Sequence, residues 1–209
     1  MKRIAFFLLA GLALAPAAGA AQIGGGHSGI STEWTFSGRV AFDELNAFGE
    51  CFVTKQAKDA LKLVNTEPGS VAEARVYKAL FSKEQFCLGS LSSLSVPWQY
   101  VRGAVGEGFY ARRLPVPENL ALPRDLPPEK VQSVMDIATC YAGRHPADAR
   151  ALIETTKPAT KEQAAMLDAH WADFEACLPP NMPPDFKVDP LVLRYRIAET
   201  LWRQGWGHN

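Results

Sequence analysis

Apolar residues recur at helical spacing from Arg39 onward. Phe42, Leu45, Phe48, Phe52 and Val53 form one stripe of a helix that also carries Cys51. Ala60, Leu61 and Val64 predict a short second helix over 57–64, and Glu67-Pro68-Gly69 then forces a turn. Ser70-x-x-Glu73 has the form of a capping box, in which each side chain satisfies an N–H left unpaired at a helix start. It opens a third helix bearing Val71, Ala74, Tyr77, Leu80 and Phe81, with Cys87 near its end. After a serine-rich loop over 90–95, Pro97 begins a fourth helix that closes near Arg113.

The same punctuation returns further along. Val131, Val134, Met135, Ile137 and Ala138 predict a helix carrying Cys140, and Pro146 stands where a helix tolerates a missing N–H. Lys157-Pro158-Ala159 makes the turn, and Thr160-x-x-Gln163 repeats the capping box ahead of Met166, Leu167, Trp171, Phe174 and Cys177. A last helix spans about 191–204. Val101-Arg102-x-x-Val105-Gly106-Glu107-x-Phe109-Tyr110 has its counterpart in Leu193-Arg194-x-x-Ile197-Ala198-Glu199-x-Leu201-Trp202. Residues 51–110 thus read as a unit written again, in diverged form, over 140–202. The expected fold is all-α: two duplicated units of about four helices each.

Composition sets the boundaries. Residues 1–21 have the form of a secretory signal peptide, with Lys2 and Arg3 before the apolar run Ile4–Leu14 and small residues at Ala18-Gly19-Ala20. Residues 22–38 form a glycine-bearing leader followed by an extended arm with Trp34 and Phe36, and helical unit 1 covers 39–113. Pro115, Pro117, Pro123 and Pro127 make 114–127 a stiff connector, and unit 2 covers 128–209. An exported, periplasmic or secreted protein is expected, with no membrane span after signal cleavage.

Without Lys2 and Arg3 the chain holds 20 basic against 22 acidic residues. That balance carries no electrostatic footprint for nucleic acid. Four cysteines in an oxidising compartment point to disulfides. Cys51–Cys87 and Cys140–Cys177 place one staple within each unit, at separations of 36 and 37 residues. Crossed pairing, Cys51 to Cys140, stays open because connectivity does not follow from sequence. No Cys or His pair has zinc spacing, so neither metal nor cofactor is expected.

The polar residues of the two closing helices stand out. Arg102 and Glu107 are five apart, as are Arg194 and Glu199. Five residues turn a helix by about 140°, so neither pair faces itself. Partners across the units, Arg102 with Glu199 and Arg194 with Glu107, are one solution, and Arg203 one turn beyond Glu199 is a simpler partner for that carboxylate. The other solution is a solvated face. Gly103, Gly106 and Gly108 permit a close neighbour, either a packed helix or a ligand.

Catalytic signatures are absent or weak. His170 and Asp173 lie one helical turn apart, and the serines of 90–95 lack a nucleophile elbow. The chain is expected to have a non-catalytic binding or structural role in the cell envelope, engaging a protein or a small apolar ligand. The alternative is a small periplasmic hydrolase sited between the units, with Glu107, Glu199 and His170 as its polar residues.

Overall fold

The computed structural model describes residues 39–81, 87, 96–120, 126–180 and 188–206. The signal peptide, leader, aromatic arm and serine loop expected from the sequence lie outside the described residues. Within them, the regular structure is entirely helical. The order is α1 (Arg39–Lys55), α2 (Ala57–Val64), α3 (Val71–Phe81), α4 (Trp98–Ala111), α5 (Val134–Arg144), α6 (Pro146–Thr155), α7 (Lys161–Ala169), α8 (Trp171–Glu175) and α9 (Pro190–Arg203). A 3-10 turn at Pro128–Lys130 precedes α5.

Two disulfides close within the halves, Cys51 to Cys87 and Cys140 to Cys177, with Cα–Cα distances of 5.6 and 5.8 Å. Each removes denatured-state entropy of about 4 kcal/mol for a loop of this length.

The start of each helix has a local cause. Ser70 Oγ accepts from Glu73 N–H at 3.1 Å, and Thr160 Oγ1 from Gln163 N–H at 3.2 Å. The returning side chains reach one residue further back than a capping box requires, with Gly69 N–H donating to Glu73 and Ala159 N–H to Gln163. Ser133 caps α5, so Val131 is buried ahead of that helix rather than in it. The helix expected between Thr160 and Cys177 is divided at His170 into α7 and α8, which gives the second half five helices.

Helices α1, α4, α9 and α5 pack in that order, with α4 and α9 innermost. From Tyr100 to Tyr110 every residue of α4 is buried, and so is every residue of α9. The glycines explain the close approach. A β-carbon at Gly103 would stand 2.3 Å from the Tyr195 ring, and one at Gly108 would stand 2.8 Å from the backbone of Gly49 on α1. Helix packing therefore takes up these glycine faces. Phe109 stacks on Trp202 at 4.3 Å, and the Trp202 indole N–H donates to the Leu114 carbonyl. Among the described residues no helix is long and apolar enough to cross a membrane.

Candidate functional site

A helix buried all round normally lacks charge, because an unpaired ion in the interior costs several kcal/mol. Helices α4 and α9 carry Arg102, Glu107, Arg194, Arg196, Glu199 and Arg203 within their buried lengths. Their partners make this possible.

Arg102 reaches from α4 to α9 and meets Glu199 with two parallel bonds, Nε to Oε2 at 3.2 Å and Nη2 to Oε1 at 2.8 Å. Arg194 reaches the opposite way and meets Glu107 with the same pair of nitrogens at 3.2 and 2.8 Å. Such two-pronged contacts are the strongest arginine–carboxylate geometry. The five-residue spacing sends each arginine and the glutamate of its own helix to different ends of this exchange.

Each guanidinium also closes the end of a helix. Arg102 donates to the carbonyls of Leu63 and Val64 at the end of α2, to that of Thr66 just beyond it, and to Thr66 Oγ1. Arg194 donates to those of Leu152, Ile153 and Thr156 at the end of α6, and to Thr156 Oγ1. Carbonyls at a helix end lack partners within the helix and concentrate negative dipole, so a cation there is doubly favoured.

Beyond these shared contacts the ends differ. Glu199 is fully buried and meets two more guanidiniums, Arg196 at 3.1 Å and Arg203 at 2.8 Å. Glu73 adds a second carboxylate by accepting from Arg102 at 2.9 Å. Burial alone would push the Glu199 carboxyl up, but Arg102, Arg203 and Arg196 outweigh it and hold it far below the ordinary glutamate range. Burial, with Arg102 nearby, draws the Arg196 guanidinium down to about 10 against the opposing pull of Glu199 and Glu73.

Glu107 has Arg194 and the Asn46 amide, at 3.4 Å. Asn46 is fixed in turn by the Tyr195 hydroxyl, which donates to its oxygen at 2.8 Å. Burial, then the charge of Glu107, keeps that hydroxyl protonated well above its ordinary range. Glu107 is 8 % exposed and lines a cleft of about 440 Å³. Asp43, Asn46 and Glu50 of α1 form one wall, and Ile153, Thr156 and Lys157 form the other. At the rim Arg112 pairs with Glu50 at 3.0 Å.

His170 stands apart from this cleft. Its Nδ1 lies 3.3 Å from Asp173 Oδ2, beside His145 and Asp148 at the junctions of α5 with α6 and α7 with α8. The structure therefore brings Arg102, Glu107, Arg194 and Glu199 together and leaves His170 out. Among the described residues no group of three or more His, Cys, Asp or Glu could hold a metal ion.

Asn46, Thr156 and Arg196 were not singled out in the sequence, and Glu73 was read only as a capping residue, not as a partner of Arg102. Arg196 had a legible signal, since it and Arg203 stand where α4 has Ala104 and Ala111. The chain matches no family model, no curated protein and no solved structure.

Proposed function

We propose that this is an exported, non-catalytic binding protein of the cell envelope, built from two units that arose by duplication, and that the cleft above Glu107 is where a partner enters. The carrying observation is a carboxylate on a buried helix, clamped by Arg194 and Asn46, that still reaches a cavity. The lining favours a polar partner over the apolar ligand expected from the sequence, because Asp43, Asn46, Glu50, Arg112 and Lys157 present charge or amide groups to it.

Export is supported by two disulfides, which persist in oxidising compartments, together with the signal-like residues 1–21. A non-catalytic role is supported by the separation of the polar candidates. Glu199 is sealed from solvent by three arginines, and His170 lies outside the cleft. A fragment screen by protein-observed NMR on the full chain tests the reading. Shifts should concentrate at Asp43, Asn46, Thr156 and Lys157. Shifts confined to other surfaces, or turnover of a bound ester or amide abolished by Glu107→Gln, would sink it.

A further inference from the structure

We infer that the cleft is built to receive a guanidinium group, which completes Glu107 in the way that Arg203 completes Glu199. This rests on the binding role proposed above and names the chemistry of the ligand.

The comparison is internal to the molecule. Helices α4 and α9 are each 14 residues long, and Arg102, Glu107 and Ala111 occupy the positions that Arg194, Glu199 and Arg203 occupy in α9. Arg203, the last residue of α9, sets Nε and Nη2 on Glu199 Oε1 at 3.1 and 2.8 Å, and Nη2 also reaches the Val64 carbonyl at the end of α2. One guanidinium fork thus spans a buried carboxylate and a helix-end carbonyl.

In the other half the acceptors are present and the donor is missing. Glu107 stands in the place of Glu199, and the Ile153 carbonyl, which accepts from Arg194 at 3.1 Å, stands in the place of the Val64 carbonyl. Alanine occupies the position of Arg203, and the space over Glu107 and Ile153 is the cleft. Glu199 meets three guanidiniums, whereas Glu107 meets one and an amide. Arg112, which lines the cleft together with Lys157, is engaged with Glu50 at the rim. A planar fork with several N–H donors suits a carboxylate and a carbonyl together better than a point-like ammonium does.

The test uses the full chain with ethylguanidinium, a capped Ala-Arg-Ala peptide, propionamide and acetate, followed by NMR titration. Ethylguanidinium and the peptide should shift Asn46 and Thr156, and propionamide and acetate should not. Ala111→Arg, which supplies the missing cation from within the chain, should weaken ethylguanidinium binding at least tenfold, while Ala111→Ser should not. Should Glu107→Gln fold, it should lose binding to the same degree. A peptide bound more than tenfold tighter than ethylguanidinium assigns the cation to a partner protein; equal affinities assign it to a small molecule. Undiminished binding to Ala111→Arg would overturn the inference. If propionamide or acetate binds the cleft and the guanidinium probes do not, the inference fails while the binding role stands. If no probe shifts these residues, both fail.

Discussion

Arg102 and Arg194 place the same three side-chain nitrogens on matching sets of acceptors. Each spends Nε and Nη2 on a glutamate of the facing helix and directs Nη1 and Nη2 to the carbonyls that end a shorter helix. One residue therefore joins three helices, which makes the interface between α4 and α9 dependent on the ends of α2 and α6. A buried ion pair is weak evidence for net stability. Its specificity is the stronger point, since sliding α9 along α4 by one turn would strand both arginines.

Glu199→Gln should destabilise the protein by about 3–5 kcal/mol at neutral pH, because it leaves buried guanidiniums short of counter-charge. The pH dependence follows from the sign of the shift. The carboxyl is held below its ordinary value of 4.5, so its contribution is complete above that value and is lost as pH falls toward the folded-state value. Wild type and variant should thus converge in stability as pH drops below about 4.5. Urea unfolding at a series of pH values measures this, and a gap that stays constant into strong acid would contradict the assignment.

A double-mutant cycle on Arg194 and Glu107, using Arg194→Met and Glu107→Gln, should give a coupling of about 1–3 kcal/mol. Coupling near zero would show that the pair is dispensable. The double variant should not recover fully, because the carbonyls of Leu152 and Ile153 lose the Arg194 donor in either case.

Much of this was legible in the sequence because it follows from local rules. The turn at Glu67-Pro68-Gly69, the caps at Ser70 and Thr160, and the stripe through Phe42 and Phe52 need only neighbouring residues. The spacing of Arg102 and Glu107 showed what one helix cannot satisfy within itself. It did not show where the surplus donors go, since the carbonyls of Leu63, Val64 and Ile153 have no side-chain signature. The break at His170 was invisible for another reason: the apolar spacing from Met166 through Phe174 continues across it. The difference between Glu107 and Glu199 turns on two alanines, Ala104 and Ala111, whose meaning appears only beside Arg196 and Arg203.

Removing Cys140–Cys177 by paired alanine substitution should cost about 4 kcal/mol, and removing Cys51–Cys87 a similar amount. Both cysteines of the second pair are fully buried, while Cys51 lines the cleft. Mild reduction should therefore open Cys51–Cys87 first, as timed alkylation and peptide mapping would reveal. Equal rates, or earlier opening of Cys140–Cys177, would contradict this order.

Glycine substitutions separate packing from helix propensity. Gly103 and Gly143 both lie inside helices, where alanine is intrinsically better by about 1 kcal/mol. At Gly143 a β-carbon meets nothing within 4 Å, so Gly143→Ala should stabilise by up to about 1 kcal/mol. At Gly103 the new carbon falls against three atoms of Tyr195, all within 2.5 Å. Tyr195 is fully buried and its hydroxyl is held by Asn46, so the ring has nowhere to withdraw. Gly103→Ala should lose the propensity gain and add an overpacking cost of about 1–3 kcal/mol. Thermal unfolding of the two variants, measured side by side, decides it. If Gly103→Ala matched Gly143→Ala in stability, α4 and α9 would not be in the close contact that places Arg102 against Glu199.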